Sequence, residues 1–195
     1  MARLGRFGYY DRLSAKEQAT YRKSAEIGAI EIPDAPALAP LVKAIDVALA
    51  SGKRVRVAAS TQGFSDALLR QLGAPTLKVR VRETRPQIAD GAELHGLYTF
   101  RQDGKEPWIE VWMRTAAKGD VVKFRTFLRT FLHEIAHHLD VTILELDDSF
   151  HTEGFFRRES SLVRQLLPPR AEKPKREEKL VAVPRAKQLS LFGKG

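Results

Sequence analysis

Cysteine is absent from the 195-residue chain. That excludes disulfides, thiolate metal sites and a cysteine nucleophile together. Any metal must then rest on histidine, aspartate or glutamate. The chain holds only five histidines, so their spacing carries weight. Long apolar runs are also lacking: no stretch approaches the roughly 20 residues that a membrane-spanning helix needs. The opening MARLGRFGYYDRLSAKEQ is basic but has no apolar segment behind it, so no secretory signal is read and a cytoplasmic location is expected. No internal repeat occurs.

What the chain has in excess is positive charge. The formal net charge is +9, of which residues 168–195 supply +5, from eight Lys/Arg against three Glu. The body is therefore only mildly basic. Such a balance favours polyanionic partners, nucleic acid first among them, and equally serves as a solubilising tail. From residue 168 onward, PPRAEKPKREEKLVAVPRAK has the proline and charge content of a disordered linker, which sets a boundary there.

Before that boundary the sequence predicts an α+β domain. SAKE at 14–17 is a capping box that opens a helix over 15–26, and a second helix is expected over 37–50. KRVRVA at 53–58 alternates like a strand, and SDALLRQLG reads as a short helix ended by Gly73. LKVRVR at 77–82 is the clearest strand, with Leu77, Val79 and Val81 on one face and Lys78, Arg80 and Arg82 on the other. That row of cations fits a phosphate backbone and equally a solvated sheet face. GLYTF and WIEVWM flank RQDGKEP, whose Asp103-Gly104 pair suits a hairpin turn, with Trp108, Glu110 and Trp112 on one face. Residues 1–75 read as a helical leader to a core over 76–168.

The chemistry concentrates in GDVVKFRTFLRTFLHEIAHHLD, which predicts one long helix capped by Asp120. Val121, Phe124, Leu128, Phe131, Leu132, Ile135 and Leu139 make its apolar stripe. Thr126, Thr130, His133 and His137 lie opposite. The two histidines are four apart on one face, so both imidazoles can reach one ion, with Glu134 beside them as a general base in the pattern H-E-x-x-H. Three protein ligands leave an open position for water, whereas a structural zinc site closes with four, often cysteines.

The third ligand must come from downstream. His151, separated from His137 by thirteen residues and at the start of a helix beginning near Thr152, is preferred. That helix turns Phe155, Leu162, Val163 and Leu166 inward. Glu159, in the middle of its apolar face, is the rival ligand or else an acceptor for a histidine N–H. Asp140 lies on the metal side and is a candidate to orient a ligand. His138 faces the apolar stripe and reads as a core histidine, and His95 as a loop residue.

HEIAHHLDVTILELDDSFHTEGFF resembles the SprT/Spartan family of zinc metalloproteases, in which H-E-x-x-H is followed by a loop, a third histidine and an aromatic four residues later. His133, Glu134, His137, His151 and Phe155 match that pattern, and GLYTFRQDGKEPWIEVWMR resembles the family's glycine-led hairpin. The likeness covers about 76–168 and lacks the cysteine-containing zinc ribbon of some members. It implies a zincin-like fold, Zn²⁺ on His133, His137 and His151, and Glu134 as the base. It also implies cleavage of proteins crosslinked to DNA, with nucleoid association. The hairpin edge near 108–113 is expected to bind extended peptide by strand addition. A regulatory gluzincin resembling the ImmA/IrrE group, with Glu159 as ligand, is the competing enzyme reading. A non-catalytic DNA-associated zinc-binding module is the competing non-enzyme one. Finally Gln188, Leu189, Ser190, Leu191 and Phe192 resemble the peptide by which bacterial repair proteins dock on the DNA sliding clamp, which makes that clamp an expected partner.

Overall fold

The computed structural model describes residues 7–86, 94–100 and 106–168. Among these the elements run α1 (Ala15–Glu26), α2 (Ala39–Ala50), α3 (Arg54–Gln71), β1 (Lys78–Thr84), β2 (Gly96–Thr99), β3 (Trp108–Arg114), α4 (Phe124–Thr142) and α5 (Glu153–Leu166). Single 3-10 turns precede α1 and α2. The class is mixed α and β, as the periodicities imply, and no described helix is long and apolar enough to cross a membrane.

The capping box forms: Glu17 N–H donates to Ser14 Oγ at 3.3 Å, and Ser14 N–H donates to Glu17 Oε2 at 2.7 Å. The second expected helix begins as a 3-10 turn at Pro36–Leu38 and becomes α-helical at Ala39. KRVRVA is not a strand. It opens α3, an 18-residue helix that also takes in the short helix expected further on. The alternation spans only six residues, whereas the buried set Val57, Thr61, Phe64, Ser65, Leu68 and Leu69 repeats at helical intervals. Val55, which alternation would place beside Val57, is 72% exposed.

The sheet has the order β1-β3-β2, with β1 parallel to β3 and β2 antiparallel to it. Val79, Val81, Ile109, Val111 and Met113 are buried in a cluster shared with α2, α3, α4 and α5. Ile45, Leu49, Phe64, Phe131 and Leu162 all belong to it, so the 75/76 division drawn from sequence runs through one continuous core. The opposite face carries the cation row. Arg82 pairs with Glu110 at 2.7 Å, and Arg80 lies 3.6 Å from Glu110 with its guanidinium 4.4 Å above the Trp108 ring. Lys78 stays exposed. The Asp103-Gly104 turn falls outside the described residues, as does Gln188–Phe192.

The two sheet edges are treated differently. Along β1, the Gln62 amide takes the place of a neighbouring strand: its Oε1 accepts from Val79 N–H at 2.8 Å and its Nε2 donates to the Leu77 carbonyl at 3.0 Å. β3, whose edge near 108–113 is expected to take up peptide, is paired with β1 on one side and β2 on the other and so offers no free edge; β2 has the other edge of the sheet and packs against α4.

Helix α4 starts later than expected. Val121 forms a bridge with Arg114, and Val122 N–H donates to the Met113 carbonyl at 2.8 Å, so the chain is still sheet-like at 121–122. The N-cap is Lys123, with no side-chain cap bond; Asp120 instead uses its carbonyl to accept Thr115 N–H at 2.9 Å. Helix α5 begins where expected, with the Thr152 hydroxyl accepting Phe155 N–H at 3.0 Å.

Candidate metal centre

Helix α4 sets His133 and His137 one turn apart, and the loop before α5 brings His151 against both. His151 Nε2 lies 3.1 Å from His133 Nε2 and 3.1 Å from His137 Nε2. Ligands about 2.0–2.1 Å from a tetrahedral zinc stand roughly 3.3–3.4 Å apart, close to what these rings already show. Phe155, fully buried, is the floor beneath them, its centroid 4.5–5.1 Å from the three rings.

The outer nitrogens decide which atoms face inward. His133 Nδ1 is 3.2 Å from Glu159 Oε2. A carboxylate only accepts, so His133 carries its proton on Nδ1 and leaves Nε2 bare. Around His137 the same logic takes one more step. Ser149 Oγ donates to Asp140 Oδ2 at 2.9 Å and lies 2.7 Å from His137 Nδ1. With its one proton spent on the carboxylate, the hydroxyl must accept from His137 Nδ1–H, and this Nε2 is bare too. Two lone pairs thus face His151, whose single proton could satisfy only one neighbour well. A cation satisfies all three, so the donor set fits a metal ion, and nitrogen-only ligation with no sulfur suits zinc among others.

Protonation favours the same use. Burial, then the neighbouring His133, His151 and Arg158, depress the His137 imidazole to about 3, so it is neutral and ready to ligate. Burial followed by His133 pushes His151 down as well. Glu159 sits below the ordinary carboxylate range despite its burial, because His133 and Arg129 bond it, Arg129 Nε at 2.6 Å. Its oxygens are therefore committed behind His133, away from the converging Nε2 atoms.

Glu134 is 6% exposed and sits against the β2 edge. Burial raises its carboxyl to about 7, against the downward pull of His133 and of a hydrogen bond from Tyr98 N–H. A dication on the histidines would pull it down again. Gly96 makes room for it: a Cβ there would fall 2.9 Å from both Cγ and Cδ of Glu134. Tyr98 is fixed from the core side. His138 Nε2 donates to the Pro75 carbonyl at 2.8 Å, so its bare Nδ1 accepts from Tyr98 O–H at 3.1 Å. Burial raises that phenol to about 12. His138 is thus a core histidine that aligns β2, as its place on the apolar side implies.

Asp140 acts through Ser149 rather than directly on His137, and it is anchored by Arg158. Both are 0% exposed. Arg158 Nη2 meets Asp140 Oδ2 at 2.8 Å and Nε meets Oδ1 at 3.0 Å. Its two Nη1 protons go to the Ser24 and Ile27 carbonyls at 2.7 and 2.6 Å and the second Nη2 proton to Ser24 Oγ at 3.1 Å, tying α1 to the site. Burial pushes the Asp140 carboxyl up, and Arg158 and Ser149 pull against it.

Ser149, Arg158, Tyr98 and Gly96 were not singled out from the sequence. Arg158 had a signal, since it stands three after Phe155 and four before Leu162 on the buried face of α5. Ser149 and Tyr98 had none, because their partners are fixed by loop path and sheet register. No protein-family model matches this chain, nor does any characterised protein or solved structure.

Proposed function

We propose that this chain is a zinc-dependent endopeptidase with a zincin-like core of the SprT/Spartan kind. The observation that carries the proposal is the convergence of three histidine Nε2 atoms beside a buried carboxylate at the edge of a strand. His133, His137 and His151 would hold Zn²⁺. The ion supplies a Lewis acid and an open position in which a water's pKa falls towards about 7.

The protein's own groups do the rest. Edge β2 aligns an extended peptide through backbone hydrogen bonds, which suits unfolded or varied substrates. Glu134 accepts a proton from the attacking water and delivers it to the leaving amine nitrogen. Ser149 and Glu159 hold His137 and His133 in the tautomer that keeps Nε2 bare. A purely structural zinc site has no need of a carboxylate beside its open position, so Glu134 favours an enzyme over a structural zinc module. Glu159, bonded by Arg129 and His133, disfavours the gluzincin ligand set.

The substrates are proposed to be proteins on or crosslinked to DNA, with the protease tethered to the sliding clamp in the cytoplasm at the nucleoid. The net charge and the QLSLF sequence support this. Metal analysis of purified variants tests the ligand set. Wild type and Glu159→Ala should each hold about one zinc at micromolar free metal, and His151→Ala should hold almost none. Loss in Glu159→Ala with retention in His151→Ala would replace this reading with the gluzincin one.

A further inference from the structure

Two clefts meet at Glu134, and they carry opposite charge. One, of about 730 Å³, extends from Gly96 past Tyr98 and Phe100 to Asp147 and Asp148. The other, of about 910 Å³, extends from Gly96 and Leu94 along the first turns of α4 to Lys123, Arg125 and Arg129. Gly96, His133 and Glu134 line both. Together they form one groove through the site, acidic at one end and basic at the other.

The charges remain available to a ligand. The bond from Lys16 to Asp147 spans 3.1 Å between side chains that are 78% and 62% exposed, where competition from a bound ion is easy. Among the described residues, Asp148 accepts only Ser149 N–H at 2.7 Å. At the other end, Arg125 donates to the Pro168 carbonyl at 2.7 Å, and Arg129 is paired with Glu159. Lys123 is exposed, and among the described residues neither it nor Arg125 has an ion pair.

The strand supplies a direction. Backbone groups along a strand alternate between its two edges. Tyr98 N–H is directed at the Glu134 carboxyl, so the backbone groups of Tyr98 and Gly96 face away from β3, on the groove side. Antiparallel addition is the more stable pairing per residue. β2 runs from the basic end towards the acidic end, so an antiparallel ligand runs from the acidic end to the basic end.

We infer that the groove selects extended peptides by charge order: lysine or arginine on the N-terminal side of the bond at Glu134, aspartate or glutamate on the C-terminal side. This rests on the endopeptidase reading for which bond is cut, but binding tests it separately. The probes are two fluorescein-labelled decapeptides of identical composition, one with Lys-Lys before and Glu-Glu after a neutral centre, the other with that order reversed. Each is titrated by anisotropy against the zinc-supplemented full-length Glu134→Gln protein, which holds peptide without turning it over.

The lysine-first peptide should bind about tenfold more tightly, the size of a few exposed charge pairs, and the preference should shrink in 0.5 M salt. Lys123→Glu with Arg125→Glu, and separately Asp147→Lys with Asp148→Lys, should each reduce the preference; circular dichroism checks that these surface variants are folded. Equal binding of the two peptides, a preference for the reversed order, or a preference indifferent to both charge reversals overturns the inference. Wild-type cleavage of both peptides at equal rates, with equal binding, would leave the endopeptidase standing and remove only the charge order. Ordered binding without wild-type cleavage would do the opposite.

Discussion

Ser149 shows how much a single hydroxyl decides. It has one proton, Asp140 takes it, and His137 must then donate from Nδ1. Ser149→Ala removes the acceptor and frees the ring to adopt the other tautomer, so zinc affinity should fall about 10–100-fold, as found for partners of ligating histidines. Ser149→Thr keeps the hydroxyl and should recover most of the affinity. Competition titration with a chelator measures both; an unchanged affinity in Ser149→Ala would remove Asp140 and Ser149 from the site. Gly96 acts at the same scale by steric permission, since any side chain there meets the Glu134 carboxyl.

At the scale of elements, Arg158 holds three helices in register, bonding Asp140 of α4 and the last carbonyls of α1 from its place on α5. Arg158→Met would leave Asp140 as a buried charge without its partner and should cost about 3–5 kcal/mol in urea unfolding. A loss below about 1 kcal/mol would show that the pair is not buried as described. Gly154 belongs to the same joint: a Cβ there would fall 2.8 Å from the Ala25 carbonyl oxygen, so α5 meets α1 only with glycine at that point. The starts of α1 and α5, β1 and the β2–β3 pairing were legible because capping residues and alternation act locally. The start of α3 was not, since six alternating residues look alike in a strand and in a helix whose burial pattern shows only over three turns. The start of α4 was missed because Val121 and Val122 are taken by a bridge to β3, a contact distant in sequence. For the centre itself, His133, Glu134 and His137 follow from helical spacing. His151 required a loop whose path is closed by Phe155 packing, and there the family resemblance supplied what spacing alone left open.

Across the whole molecule, α2 and α3 share the core with the sheet and with α4, so the helical leader supports the site rather than standing apart from it. For the tail, eight basic residues against three acidic ones and the sequence QLSLF support the proposed DNA and clamp partners. DNA binding should be independent of sequence, steeply salt-dependent and weakened by deleting residues 168–195. A peptide of residues 185–195 should bind the bacterial sliding clamp with micromolar-order affinity, and Leu191→Ala with Phe192→Ala should abolish that binding without altering zinc content. Salt-insensitive DNA binding, or no clamp binding by peptide or full chain in direct titration, would contradict these roles. The central claim is that a metal centre with Glu134 as its base cuts peptide bonds. Its most direct test measures zinc content and cleavage of an unfolded protein, with and without DNA, for wild type and Glu134→Gln side by side. The account predicts equal zinc in both proteins, cleavage by wild type, and none by Glu134→Gln, because an amide cannot accept the water's proton. Undiminished cleavage by Glu134→Gln, or no cleavage by zinc-loaded wild type under any of these conditions, would contradict it.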